Sequence, residues 1–226
     1  MQGRSSAAAK ARGGAPKTGA KGDRTAERIL TEALDQFSRL GFERVTMGGI
    51  ADAAKVSQAT LHYHFQDKLQ LWRSAIALLE HAIDEEARLM HATRDMPAIE
   101  ALRATMRFFL QISWKHPALG RIVALEGSAG GERLQWLVDT LIGTRNRSVL
   151  KLVRAAIAAG DLKPYPPEQI VILLQTGAVG AINLTPLMKA NFNYDATTPQ
   201  ARAAHEDMVI DALLGGLRVS QITPVK

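Results

Sequence analysis

Residues 46–68 read TMGGIADAAKVSQATLHYHFQDK, and the reading of this stretch decides the fold. Thr46 is a hydroxyl residue placed to cap a short helix, and Ser57 is placed to cap a second one. Ile50, Ala51 and Ala54 give the first helix an apolar face. Val56 falls in the turn, where it can plug the angle between the helices. Leu61 and Phe65, four apart, share a face of the second helix. Asp67 caps a third helix, and Gln70 follows at capping-box spacing. Two short helices set at an angle by a tight turn form a helix-turn-helix. The unit is too small to bury its own core, so the rest of the chain must complete it.

Outward from this unit the chain reads as all-α. Ala and Leu are strong helix formers, and no stretch alternates β-branched residues. The 226 residues are 46% hydrophobic and 5% aromatic, with no cysteine, which excludes disulfides and thiolate metal sites. Residues 1–22 hold Arg4, Lys10, Arg12, Lys17 and Lys21 without an acidic residue, and read as a disordered basic tail or a flexible arm for phosphates. From Asp23, Ile29, Ala33 and Phe37 mark an amphipathic helix that Gly41 ends. Residues 23–70 form the helix-turn-helix domain.

Residues 71–220 form a second, helical domain, and 221–226 a short tail. A long helix from Asp67 to about His91 carries Leu69, Trp72, Ile76, Leu79 and Ile83 as its buried stripe. Met96 and Pro97 break it. Helices follow over 99–115 and 118–126, then a flexible GSAGG joint at 127–131. One long helix is expected over 134–160, another over 168–189, and a last one from Pro199. Small residues on the last two, Gly177, Gly180, Ala181, Ala212 and Gly216, with His205, Val209 and Leu213, mark the face expected to pair two copies as a four-helix interface.

Enzymatic chemistry finds no support. There is no G-x-S-x-G and no strand to hold one. The six histidines lack metal-ligand spacing, so no metal and no cofactor are expected. No run of about eighteen apolar residues exists to span a membrane. With no apolar leader segment, the expected location is the cytoplasm. In the second domain Phe108, Trp114 and Trp136 are large side chains that either fill the core or line a pocket. Arg145, Gln175, Thr176 and Asn183 are polar groups on apolar helices, which either orient a ligand or pair across a dimer.

The stretch RTAERILTEALDQFSRLGFERVTMGGIADAAKVSQATLHYHFQDKLQLW, residues 24–72, resembles the TetR family of bacterial transcriptional regulators. The order IADAA, VS, TL-x-YHF-x-DK-x-x-L carries the resemblance. It implies a homodimer that binds double-stranded operator DNA through the second short helix. The expected DNA-facing residues are Thr46, Lys55, Ser57, Gln58, Ala59, Thr60, His62, Tyr63, His64 and Lys68. Helical spacing of about 100° per residue supports that face, because it turns Ala59 and Tyr63 away from Leu61 and Phe65. Gln58 is placed to read adenine, Ala59 to touch a thymine methyl and Thr60 to bond a base or phosphate. Tyr63 and His64 would position the backbone, and Lys68 would grip a phosphate.

Three departures from the family pattern stand out. Lys55 occupies a turn position where glycine is usual, Gly48-Gly49 opens the first short helix, and His62 replaces a tyrosine. The resemblance implies a repressor released by a small, mostly apolar effector. The alternative is a constitutive DNA-bound protein whose helical domain recruits a protein partner.

Overall fold

The computed structural model describes residues 20–88 and 96–219, and the chain divides into two compact units, one ending at Leu79 and one starting at Glu80. The basic stretch up to residue 19, the end of the long helix near His91 and the tail from residue 220 lie outside the described residues.

In the first unit, α1 (Ala20–Leu40) starts three residues before the expected Asp23. It buries Ala26, Ile29, Ala33 and Phe37, the recurrence of one helix face. Gly41 ends it at φ 77°, with its N–H on Phe37 O at 3.1 Å. Thr46 then caps α2 (Met47–Ala53), its hydroxyl accepting from Gly49 N at 3.0 Å. Ser57 caps α3 (Gln58–His64) in the same way from Thr60 N at 3.0 Å.

Between α2 and α3 the chain turns at Lys55, which adopts φ 52°, and Val56 N returns to Ala51 O at 3.0 Å. Asp67 accepts from Gln70 N at 2.7 Å to open α4 (Lys68–Arg88). Gln70 reaches back to Gln66 N at 2.7 Å, one residue before the cap, so the reciprocal bond of a capping box is shifted by one. The α4 stripe is Leu71, Trp72, Ala75, Ile76, Leu79 and Ile83. Leu71 thus takes the place expected of Leu69, which is half-buried. Phe42 joins the parts of this unit, stacked on Phe37 at 5.8 Å and edge-on to Trp72 at 6.2 Å between ring centres.

The second unit holds α5 (Ala98–Lys115), α6 (Pro117–Ala129), α7 (Gly131–Leu137), a π-helical turn (Val138–Ile142), α8 (Gly143–Ala158), α9 (Pro167–Asn183), α10 (Thr185–Phe192) and α11 (Pro199–Leu217). Leu102, Met106 and Leu110 of α5 meet Val153 and Ala156 of α8, Ile170, Leu174 and Ala178 of α9, and Ile210 and Leu214 of α11 in one core. Among the described residues there is no strand, only an isolated bridge between Leu162 and Arg218.

Three expectations need correction here. The GSAGG segment is helical through Ala129, and the joint is confined to Gly130 and Gly131, at φ 71° and 85°. The helix expected over 134–160 is interrupted by the π turn. The helix expected over 168–189 stops at Asn183, and α10 starts afresh with Pro186 in its first turn, where a missing N–H costs nothing.

Candidate DNA-recognition surface and helical-domain site

The two caps and the buried pair Leu61 and Phe65 fix which side of α3 faces outward. Gln58, Ala59, His62 and Tyr63 are exposed, Tyr63 by 74%. Tyr63 and His64 meet edge to face at 5.2 Å, which stiffens the end of the helix. The surface is therefore a short helix with small and planar polar side chains, bordered by the cationic Lys55.

Two expected contacts are already engaged within the chain. The Thr60 hydroxyl lies 2.8 Å from Ser57 Oγ, so both belong to the cap as well as to the outer face. Lys68 donates to Val45 O at 3.1 Å and Glu43 O at 3.5 Å, and its ammonium sits 4.4 Å above the Phe42 ring. Its three donors point largely into the α1–α2 turn, and a long-range backbone contact of this kind leaves no trace in periodicity. Gln36, which the sequence reading missed, donates from α1 to Gly49 O at 3.1 Å and ties α2 in place.

In the second unit the candidate polar residues separate into two sets. Arg145 donates to Leu141 O and pairs with Asp84 of α4. Gln175 donates to Asn146 at 2.6 Å, and Thr176 to Ile172 O at 2.7 Å from an exposed position. These three are satisfied by their own chain. Nearby Glu80 has its carboxyl held above the usual range, chiefly by burial, with Arg145 opposing and Asp84 adding to the shift. Phe108 and Trp136 are half-buried side chains of α5 and α7.

Trp114 and Asn183 differ. Trp114 Nε1 and Asn183 Oδ1 are buried without a hydrogen-bond partner, and so is Arg202 Nε. The Arg202 guanidinium lies 5.2 Å from the Trp114 ring, and His205 meets that ring edge-on at 5.7 Å. Ile182 and Ala196 pack with Trp114, and Met188 lies against them. Arg202 was not among the sequence candidates, because its place in the polar start of α11 carries no pattern.

The expected pairing face also divides. His205 and Val209 are buried inside the chain: His205 donates Nε2–H to Ala178 O at 3.0 Å, and Val209 joins the core. They are intrachain packing residues rather than outward-facing ones. Gly177, Ala212 and Gly216 are exposed, while Gly180, Ala181 and Leu213 are half-buried. Ile172, Leu173, Leu184, Leu187 and Met208 are exposed alongside them.

A capped helix-turn-helix with an open second helix, joined by α4 to a unit of packed helices, defines a DNA-binding regulator with a separate helical domain. Residues 29–75 match the family model described as "Bacterial regulatory proteins, tetR family". Residues 99–213 match the one described as "Tetracyclin repressor-like, C-terminal domain". The chain belongs to the TetR family of transcriptional regulators. It is 28% identical over 185 residues to the HTH-type transcriptional regulator RutR of Escherichia coli, covering 78% of this chain and 84% of that protein. It is 26% identical over 187 residues to the nucleoid occlusion factor SlmA of Vibrio vulnificus, covering 79% and 91%. The ketosteroid transcriptional regulator KstR2 of Mycobacterium tuberculosis has the same fold, with TM-score 0.67 at 16% identity over 92% of this chain and 98% of that one. No single described helix is long and apolar enough to cross a membrane.

Proposed function

We propose that the protein is a cytoplasmic, non-enzymatic homodimeric repressor that leaves its operator when a small, mostly apolar molecule binds the helical domain. The observation that carries the ligand is the pair of buried, unpartnered donors Trp114 Nε1 and Arg202 Nε beside Ile182, Ala196 and Met188, with a further unpartnered acceptor, Asn183 Oδ1, facing Gly120. An unsatisfied buried polar group costs about 1–3 kcal/mol. Two donors beside apolar side chains fit an apolar molecule bearing a polar oxygen. The exposed apolar and small residues of α9 and α11 support a two-fold pair. Two copies of α3 would then enter successive major grooves of a pseudo-palindrome.

The effector acts only through its different affinity for the DNA-bound and released states. Helix α4 is the covalent route, since it begins in the first unit and ends in the second. The test is a thermal-shift screen of small apolar molecules on the full chain, followed by operator binding with each hit. A hit that raises the melting temperature and releases DNA supports the reading. Hits that leave DNA binding untouched, or none at all, defeat it. Similarity to a nucleoid occlusion factor favours a second reading, in which the helical domain recruits a protein partner. Effector release of the operator would exclude that reading as the main one.

A further inference from the structure

α2 opens with Gly48 and Gly49, although alanine is the better helix former at such positions. Neither has a positive φ, so backbone conformation does not demand a glycine at either place. Space does. A Cβ on Gly49 would lie 3.2 Å from Thr46 Oγ1 and 3.7 Å from Gln36 Oε1. Gly49 therefore leaves room for the cap and for the tie to α1.

Gly48 has a different neighbour. A Cβ there would lie 3.1 Å from Gln58 Nε2 and 3.8 Å from its Cδ, with no other atom within 4 Å apart from its chain neighbours and its own helix backbone. Carbon and its nonbonded partners rest at about 3.5 Å or more. The neighbour is the free end of an exposed side chain, the first residue of α3. An alanine at 48 would displace the Gln58 carboxamide and leave the fold as it is.

We propose that Gly48 is a specificity-determining position that acts through Gln58. By omitting a Cβ it leaves the carboxamide room to lie across the α2–α3 angle, and so sets where that group can meet a base. The inference rests on α3 being the helix that reads DNA. A glutamine carboxamide presents one donor and one acceptor, matched to the N7 and N6 edge of adenine, and such paired bonds depend on placement.

The experiment measures affinity of the full chain for its operator, for every single-base-pair variant of it and for random-sequence DNA. Wild type, Gly48→Ala, Gln58→Ala and the double variant are compared. Gly48→Ala should lose about fivefold or more of the discrimination at the base pair that Gln58→Ala also affects. Preferences elsewhere and affinity for random DNA should not change. In the Gln58→Ala background the alanine at 48 should add nothing. Wild-type preferences in Gly48→Ala, or altered preferences that persist without Gln58, overturn the inference. If Gly48→Ala does not fold, Gln58→Asn replaces it. Its carboxamide stops one methylene short, and should show the same loss at the same pair. Wild-type preferences in that variant overturn the inference equally. A wild-type protein without any base preference would defeat the reading of α3 itself, a failure distinct from that of Gly48.

Discussion

Lys55→Gly separates backbone strain from charge at the helix-turn-helix turn. Lys55 stands at φ 52°, where the Cβ of an L-residue crowds the following carbonyl, at a cost of roughly 1–2 kcal/mol. Glycine removes that cost but loses about 0.5–1 kcal/mol of backbone freedom on folding. The net expected gain is about 0.5–1 kcal/mol. Lys55 is exposed, so little packing is lost with its side chain. Lys55→Ala is the control, since it removes the ammonium and keeps the Cβ.

Urea unfolding of both should place Lys55→Gly above Lys55→Ala by about that gain. Operator affinity tells the other half. If the lysine meets a phosphate in each half-site, both variants bind more weakly. Each should also lower the salt slope by about 0.9 per lost contact. A Lys55→Gly protein no more stable than Lys55→Ala would refute the strain argument. An unchanged salt slope would remove Lys55 from the phosphate contacts.

Other positions give separable outcomes. Trp114→Phe deletes a buried donor that has no acceptor, so the free protein should hold or gain stability while thermal stabilisation by an effector falls; a clear loss of stability without effector would contradict this. Gly143→Ala places a Cβ against Val138 O at the π turn, where backbone must yield, and should destabilise by about 1–3 kcal/mol in urea unfolding. Glu80 has a raised folded pKa, so its ionised form is disfavoured in the fold. Its cost is present above that pKa and is relieved as pH falls through the carboxylate range. Glu80→Gln should therefore be more stable than wild type at neutral pH, with the gain vanishing in acid. Leu61→Ala removes a fully buried side chain of α3 and should cost about 2–5 kcal/mol in thermal or urea unfolding.

The helix-turn-helix was legible because its signals are local. Thr46, Ser57 and Asp67 each stand where an exposed helix start needs an acceptor, and the structure uses all three. The left-handed turn at Lys55 had no signal in the lysine itself, and only the family resemblance, with glycine usual at that position, pointed to it. What stayed hidden depends on partners far along the chain. Lys68 bonds a carbonyl 23 residues away, which no periodicity announces. His205 looked outward on the stripe of α11, yet Ala178 O on α9 accepts its proton. The break before α10 had a local signal in Pro186 that the run of apolar residues concealed. The π turn at 138–142 has α-helix on both sides and no Gly or Pro breaker within it, so residues 134–160 read as one helix. In the helical domain Trp114 and Asn183 were visible as residues. Only packing distinguishes their unpartnered atoms from the satisfied ones of Arg145, Gln175 and Thr176.

The central claim is that two copies of α3 read a two-fold DNA site. Selection of binding sites from random duplex DNA by the full chain at physiological salt tests it most directly. The account predicts an enriched pseudo-palindrome whose half-sites are centred about one helical turn apart, or a multiple of that spacing. A pool that yields no enriched sequence, or a single unpaired half-site, would contradict it.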